Sequence, residues 1–151
     1  MQILILVATQ SGTATMVADE LLADLEDRGH TATVQKMDDA DPGIFQQDAI
    51  FLVVTSSYGE GDLPERARPF YARLAEERPD LTAVRYGVFG LGDAKGHGPT
   101  YCGGPKKIDG LLTELGAMRI GELECHDLWS KTYVEDHALE WLDNWLTTVE
   151  E

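Results

Sequence analysis

Three segments combine glycines with polar or aromatic residues, and their residue types suit the binding of an anion and of a flat ring. They run from Thr9 to Thr15, from Thr55 to Leu63 and from Leu91 to Cys102. Each follows an apolar run with the length of a strand, which predicts loops at the ends of strands. Such loops carry binding sites more often than the elements that they connect.

The first segment is predicted to cradle a phosphate group. Its hydroxyl groups and unpaired backbone N–H groups lie where a strand passes into a helix, and the N-terminus of a helix attracts anions. Gly12 lets the backbone approach closely. The segment has no Lys or Arg, and it lacks the lysine of nucleoside-triphosphate loops and the Gly-x-Gly-x-x-Gly dinucleotide pattern. A terminal monophosphate is therefore favoured, with an ordinary Ser/Thr-capped helix start as the alternative.

The second segment is predicted to present an aromatic face to the same cleft. Tyr58 lies between small polar residues and two glycines, Gly59 and Gly61, at the end of a buried strand. Its ring could stack on a flat ligand. The glycines permit positive φ angles, so a backbone carbonyl or amide could follow the protonation of a ring nitrogen. The alternative is a glycine-rich turn that carries an exposed tyrosine.

The third segment is long and rich in glycine, which is typical of a binding loop in a compact α/β domain. His97 or Tyr101 could cover the other face of a bound ring, and we rank the two equally. Cys102 has no neighbouring base that would activate it as a nucleophile. The four histidines, at positions 30, 97, 126 and 137, show no ligand spacing, so no metal site is predicted.

These loops must be positioned by an alternation of strands and helices in the order β-α-β-β-α-β-α-β-α. Near-continuous apolar runs predict three central parallel strands, at Ile3 to Ala8, Ala49 to Val54 and Ala83 to Leu91. Runs that mix polar and apolar residues predict edge strands at Thr31 to Met37 and Met118 to Glu124. The fold class is therefore α/β, a doubly wound five-stranded parallel sheet of order 2-1-3-4-5 with helices on both faces. Ligands bind such sheets beyond the carboxyl ends of the strands, here between strands 1 and 3.

Apolar residues at helical spacing predict the helices. The first ends near Gly29, the second starts at Asp62-Leu63-Pro64, and the third ends at Gly116. In the last helix Trp141 and Trp145 are four residues apart, which predicts core packing.

Length and charge limit the classes of function. The chain has 151 residues, the size of one domain, and we expect a single domain over 1–151. Twelve basic against 27 acidic residues give a net charge of −15, which argues against nucleic acid or an anionic membrane as partner and permits a basic protein partner. The longest apolar runs are too short to cross a bilayer.

The beginning of the chain and its cysteines favour the cytoplasm. Met1 to Ile5 lacks the basic region and cleavage site of a signal peptide. Cys102 and Cys125 have neither CxxC nor metal-type spacing, and two thiols are tolerated in a reducing compartment.

Together, Thr9 to Ala14, Ser57-Tyr58-Gly59-Glu60-Gly61-Asp62 and Gly90-Leu91-Gly92-Asp93 resemble flavodoxins, and each motif follows the correct strand. The segment from Lys106 to Ile120 and the motif Tyr58 to Asp62 resemble in particular the FMN modules of diflavin reductases and the stand-alone MioC-type flavodoxins. The resemblance covers nearly the whole chain, and the lack of a long insertion in strand 5 corresponds to the short-chain form.

The resemblance implies a non-covalently bound FMN, with its phosphate in the first loop, Tyr58 stacked on the isoalloxazine ring and Gly59 near the flavin N5. One departure is the stretch 94–100, which is longer than in relatives and contains His97. The predicted cofactor-binding residues are Thr9, Gln10, Ser11, Gly12, Thr13, Ala14, Ser56, Ser57, Tyr58, Gly59, Glu60, Gly61, Leu91, Gly92, Asp93, His97, Tyr101 and Cys102.

The resemblance also implies an electron carrier rather than an enzyme. A basic-faced NADPH-dependent flavin reductase would be the electron donor, redox enzymes the acceptors, and the carrier a monomer. Carboxylates near the ring, Glu60, Asp62 and Asp93, would disfavour the reduced, anionic flavin and lower its potential.

Three kinds of protein compete with this interpretation. The first is a flavin-dependent reductase, and the second is a regulatory or interaction protein with this fold and weak FMN binding. The third is a phospho-receiver domain, which needs acidic residues where Ala8-Thr9 and Thr55-Ser56 stand.

Overall fold

The computed structural model describes residues 1–59, 61–93 and 101–150, and its strands and helices alternate along the chain. The strands are β1 (Gln2–Ala8), β2 (Thr31–Lys36), β3 (Ile50–Ser56), β4 (Arg85–Gly92), β5 (Met118–Arg119) and β6 (Glu124–Asp127). The helices are α1 (Thr13–Asp27), α2 (Arg68–Glu77), α3 (Gly103–Glu114) and α4 (Val134–Glu150). Short 3-10 turns cover Met37–Asp39, Pro42–Gln46 and Glu65–Ala67. No helix in the described ranges is both long and apolar enough to cross a membrane.

The strands form a parallel sheet of order β2-β1-β3-β4-β5, with β6 also paired to β4, so the predicted order is confirmed. Ala8 lies beside Thr55, and Ser56 lies beside Leu91. The chain therefore leaves β1, β3 and β4 side by side at one edge of the sheet. This register brings the three predicted loops together at the carboxyl ends of the strands.

Two short strands, β5 and β6, pair with β4 along the same edge of the sheet, whereas the sequence predicts one strand there, from Met118 to Glu124. Residues 120–123 separate β5 from β6, and Gly121 has a φ of 74°, which an extended strand does not accommodate. β6 then pairs with β4 as far as Gly92 and Asp127. The split thus carries β6 to the same edge as the three loops.

Two apolar layers cover the sheet. One contains buried residues of α2 and α3, and the other contains those of α1 and α4. Trp141 and Trp145 are buried and stacked with ring centroids 5.6 Å apart, as predicted. A Cβ at Gly87 would overlap the indole of Trp145, so this glycine admits the ring against β4.

The helix predicted to start at Asp62-Leu63-Pro64 begins later. Asp62 pairs with Tyr58 in an antiparallel bridge, Pro64 has extended backbone, and only after the turn Glu65–Ala67 does α2 begin at Arg68. Asp62 is therefore part of the loop that carries Tyr58. The predicted end of the first helix is confirmed, with α1 ending at Asp27 and Gly29 at a φ of 88°.

The two cysteines form a disulfide, so the prediction of two thiols is wrong. Cys102 and Cys125 are 23 positions apart, and their Cα atoms lie 6.5 Å from each other. The register of β6 on β4 and the start of α3 bring them together. The spacing of the two cysteines in the sequence indicates neither of these two features.

Candidate functional site

The loop between β1 and α1 has the geometry of an anion-binding loop. Gly12, the N-cap of α1, adopts a left-handed φ of 96°, which a residue with a side chain rarely adopts. Its N–H donates to Thr9 Oγ1 at 2.8 Å, and Ser11 Oγ lies 3.4 Å from Thr13 Oγ1. The hydroxyls of Ser11 and Thr13 are thus gathered at the N-terminus of a helix, where free N–H groups favour negative charge.

Two residues of this loop hold it in place. Ala14 is fully buried with β1 in the core, so its side chain fixes the start of α1 and does not face the loop. Gln10 Oε1 accepts a hydrogen bond of 3.0 Å from the backbone N–H of Glu65. This bond ties the anion-binding loop to the end of the second loop, so the two predicted sites share one framework.

Described residues of the second and third loops line a cavity at the same edge of the sheet as the anion-binding loop, and we call this cavity the ring pocket. Its lining residues are Ser56, Ser57, Tyr58, Gly59, Gly61, Leu91, Gly92, Asp93, Cys102 and Leu128. All of them except Leu128 are predicted site residues. Glu60 and His97 lie outside the described residues. Sequence reasoning missed Leu128 because only the split of the last strand brings the end of β6 to this edge.

Tyr58 is held at the mouth of the ring pocket. Its backbone N–H and carbonyl bond to Asp62 at 2.8 and 3.0 Å, and the turn between them uses positive φ angles of 60° at Gly59 and 88° at Gly61. The side chain is 39% exposed, with the Arg68 guanidinium 5.8 Å from its ring centroid. The phenol face is therefore presented by a short, hydrogen-bonded turn.

Tyr101, predicted as a possible cover for the second face of the ring, lies between β4 and β6. Its ring lies so close to Gly92 that a Cβ there would come within 2.9 Å, and its hydroxyl donates to the Cys125 carbonyl at 3.3 Å. Burial, followed by the nearby charges of Asp127 and Glu124, raises the pKa of Tyr101. Tyr101 thus joins β4 to β6 and is not among the residues that line the ring pocket.

The start of α3 packs directly on the loop that carries Tyr58. Gly104 N–H donates to Ser57 Oγ at 3.1 Å. A Cβ at Gly103 would overlap the backbone of Gly61, and one at Gly104 would lie 2.8 Å from the Asp62 carbonyl. Sequence reasoning missed these two glycines as site residues, because their role depends on a contact between segments about 40 positions apart.

The charge of Asp62 is compensated. Its carboxylate lies 3.0 Å from Lys107 Nζ and 3.4 Å from Arg68 Nε. Burial opposes its ionisation, but hydrogen bonds from Lys107 and from the Leu63 N–H outweigh burial and lower the pKa of Asp62. Asp62 is therefore ionised, but the two nearby cations offset its negative charge. Its field at the ring pocket is weaker, so it should lower the reduction potential of a bound flavin less than an unpaired carboxylate would.

The residues present fit a flavin nucleotide. Ser56 Oγ is buried in the ring pocket and has no hydrogen-bond partner within the part of the chain that the structure describes. A buried hydroxyl without a partner is costly unless a ligand satisfies it. The polar edge of a flavin offers such a partner, Tyr58 offers a stacking face, and the anion-binding loop suits a monophosphate.

A larger cavity, of about 620 Å³, lies between β6 and α4 rather than at the predicted site. It brings together His126 and His137, whose Nδ1 atoms are 2.8 Å apart, although the sequence suggests scattered histidines. Burial, followed by the neighbouring His137, lowers the pKa of His126. Across residues 1–59, 61–93 and 101–150, no three His, Cys, Asp or Glu side chains are grouped to bind a metal.

Comparisons with known proteins agree with this geometry. A sequence model described as flavodoxin matches residues 5–141. The chain is 36% identical to flavodoxin YqcA of Pectobacterium carotovorum over 99% of this chain and 97% of that protein. It is 35% identical to protein MioC of Escherichia coli K12 over 89% of each chain.

A segment of a longer protein and a solved structure also match this chain. The chain is 34% identical to a segment of NADPH oxidoreductase A of Dictyostelium discoideum, over 78% of this chain and 18% of that protein. A solved cysteine-to-alanine mutant of flavodoxin from Pseudomonas aeruginosa superposes with a TM-score of 0.86 and 29% identity over 100% of both chains. The family resemblance read from the three motifs is thereby confirmed.

Proposed function

The chain belongs to the flavodoxin family, whose members bind FMN and transfer electrons, and we propose that it works as a stand-alone electron carrier. One observation carries the proposal: a loop suited to a phosphate and a pocket suited to a flat ring meet at one edge of the sheet. FMN supplies the redox chemistry when bound, and the protein binds, orients and shields it. No side chain is required as an acid, a base or a nucleophile.

The phosphate of FMN is assigned to the loop between β1 and α1. Ser11 and Thr13 donate their hydroxyls, the first turn of α1 donates backbone N–H groups, and Gly12 sets the conformation. Thr9 shapes the loop through its bond to Gly12, and Gln10 anchors it to Glu65. Because all of these donors are neutral, the N-terminus of α1 is the main source of electrostatic attraction for the phosphate dianion.

The isoalloxazine ring is assigned to the ring pocket. Tyr58 would stack on one face of the ring, and the Gly59 peptide, which also lines the pocket, would be available to the edge whose protonation changes on reduction. Ser56 Oγ and the backbone of Gly92 offer polar contacts, and Leu128 adds an apolar one. His97 stays a prediction for the second face of the ring.

The carrier role distinguishes this chain from enzymes that contain a similar module. NADPH oxidoreductase A matches this chain over only 18% of its own length, so the matching module is one part of that protein. No residues that would bind a nicotinamide stand out in this sequence. The carrier is therefore proposed to receive its electrons from a separate, NADPH-dependent flavin reductase and to pass them to redox enzymes.

The surface beside the ring pocket suits a partner with an apolar patch and a basic surround. Leu128, Trp129 and Tyr133 are exposed there, with Trp129 at 59%, and the Trp129 N–H bonds to Asp127 Oδ1 at 3.0 Å. The net charge of −15 attracts a basic partner at long range. We place this carrier in the cytoplasm as one domain over 1–151 and as a monomer.

Electron transfer from the reduced, FMN-loaded protein to a basic c-type cytochrome tests the proposal. The second-order rate constant should fall as ionic strength rises, because salt screens the attraction. Trp129→Ala should lower it at every ionic strength, whereas Met118→Ala, which removes an apolar side chain 64% exposed on β5, should leave it unchanged. Rates indifferent to salt, or direct oxidation of NADPH by the purified protein, would contradict the proposal.

A further inference from the structure

Cys102 belongs to the wall of the ring pocket. It precedes α3 in a left-handed conformation with a φ of 56°, is 1% exposed and lines the pocket. The next two residues pack on the loop that carries Tyr58, and Gly104 bonds to Ser57. Any movement of the Cys102 backbone is therefore transmitted to this side of the pocket, which we call the α3 wall.

Cys125 belongs to the opposite side. It lies in β6, three residues before Leu128, which lines the ring pocket. The Leu128 N–H bonds to the Gly92 carbonyl at 2.9 Å, which extends the pairing of β6 to the edge of the pocket. We call this side the β6 wall.

The disulfide joins the two walls. Its Cα–Cα distance of 6.5 Å lies within the range of ordinary disulfides. Besides it, the Tyr101 hydroxyl donates to the Cys125 carbonyl at 3.3 Å, a long neutral hydrogen bond. The covalent link is thus the strongest connection between the residues that begin α3 and β6, the strand that precedes Leu128.

The link is accessible to chemistry from one side. Cys102 is buried in the wall of the ring pocket, but Cys125 is only half-buried. The Cys125 side chain lies on the α3 face of β6, since its neighbour His126 points to His137 of α4 and successive strand residues face opposite sides. In the proposed cytoplasmic location, disulfides are typically transient or redox-sensing rather than permanent. An accessible disulfide at a cofactor pocket is therefore positioned for reversible reduction.

We propose that the Cys102–Cys125 disulfide is a reversible modification site that controls how tightly the ring pocket holds FMN. The proposal rests on the function proposed above. The closed disulfide fixes the α3 wall against the β6 wall, so the pocket is pre-organised for the ring. Reduction separates the walls and weakens binding, while the anion-binding loop is unchanged, because it follows β1, and β3 lies between β1 and β4.

The reduction is a thiol–disulfide exchange with a dithiol as reductant. A thiolate of the dithiol attacks Sγ of Cys125 and forms a mixed disulfide, while Cys102 leaves as a thiolate and takes up a proton. The second thiol of the reductant, as its thiolate, then attacks the reductant's sulfur in the mixed disulfide. This closes the reductant into a disulfide and releases Cys125 as a thiolate, which is then protonated. The protein gains two electrons and two protons, and the dithiol becomes a disulfide.

Linkage makes the effect reciprocal. If closing the disulfide strengthens FMN binding by some factor, FMN binding must favour the closed disulfide over the dithiol by the same factor. The coupling can therefore be measured from both sides, and the two measurements must agree. This gives a readout that does not depend on electron transfer.

The first test compares the oxidised apoprotein with the same protein reduced by dithiothreitol, using titrations with FMN and with riboflavin. The reduced protein should bind both ligands about tenfold more weakly, because the ring pocket is shared by both. Cys125→Ser should bind like the reduced wild type and should not respond to dithiothreitol, which controls for an effect of the reagent on the flavin. Kd values equal within twofold in all forms would overturn the inference.

The second test measures the equilibrium between protein disulfide and dithiothreitol with and without saturating FMN, counting thiols by alkylation and mass spectrometry. The disulfide should be about tenfold harder to reduce when FMN is bound. An equilibrium that FMN does not shift would overturn the inference but leave the proposed function intact. Failure of every form to bind FMN would overturn both.

Discussion

The anion-binding loop and the ring pocket are built in different ways. The loop is one continuous run that starts at Thr9, and its shape follows from the φ of Gly12 and from bonds between near neighbours such as Thr9 and Gly12. The ring pocket is assembled from four separate segments. They are joined by contacts between Ser57 and Gly104, Asp62 and Lys107, Cys102 and Cys125, and Gly92 and Leu128.

This difference implies that the two halves of the site fail differently. A substitution in the loop should affect only the ligand group that the loop holds, because its geometry is local. A substitution at a contact between segments should move a wall of the pocket and so affect every ligand that contains the ring. Riboflavin, which has the ring but lacks the phosphate, separates the two kinds of failure.

The largest effect is expected at a contact between segments. In Gly103→Ala the new methyl group would overlap the backbone of Gly61, which cannot move aside without displacing Tyr58. A cost of about 2 kcal/mol corresponds to about 30-fold weaker binding of both FMN and riboflavin, measured by quenching of flavin fluorescence. Affected FMN binding with normal riboflavin binding would contradict the assembled-pocket account.

The matched control lies in the same helix. Gly110 is exposed, and a methyl group added there would meet nothing within 4 Å beyond its chain neighbours and the backbone of its own helix. Gly110→Ala should therefore leave both affinities unchanged and raise the free energy of unfolding by about 0.5 kcal/mol, because alanine favours helix.

The next effect is expected in the anion-binding loop. Ser11→Ala and Thr13→Val each remove a hydroxyl that we assign to the phosphate. Each should weaken FMN binding by about 1.5 kcal/mol, roughly tenfold, because the acceptor is charged. Riboflavin binding should stay at the wild-type value, and an equal loss for riboflavin would place these hydroxyls at the ring instead.

A smaller effect is expected from the charge network of the ring pocket. Lys107→Gln removes the cation 3.0 Å from Asp62 and leaves more negative charge near the ring. The midpoint potential of bound FMN should fall on the order of 20 mV, since the pair is partly exposed and screened. The measurement is a redox titration of the loaded protein, with Lys106→Gln as control for the loss of a neighbouring lysine.

The smallest effect concerns stability on the β6 side of the pocket. The pKa of His126 is lowered by burial and by His137, so unfolding favours its protonation once the pH drops below its ordinary value near 6.5. The stability from neutral His126 is thus complete above that pH and lost as the pH falls through the lower, folded pKa. Between pH 7 and 5, the melting temperature of the wild type should fall about 2 °C more than that of His126→Gln; equal slopes would contradict this.

The comparison also explains what the sequence could predict. The order of the strands, Gly12 in its loop and Tyr58 between glycines follow from patterns within a few residues, and the structure bears out the strand order and the position of these loops. The disulfide, the place of Tyr101 and the role of Leu128 depend on the split of the last strand. No local sequence pattern specifies that split, because it depends on the path that residues 120–123 take beside β4 between β5 and β6.

The most direct test of the two-part site is a titration of the apoprotein with FMN and with riboflavin. The account predicts saturable one-to-one binding of FMN and binding of riboflavin that is weaker by about 100-fold, because several charge-assisted hydrogen bonds to the phosphate are lost. Equal affinities for the two ligands, or no saturable binding of FMN, would contradict it.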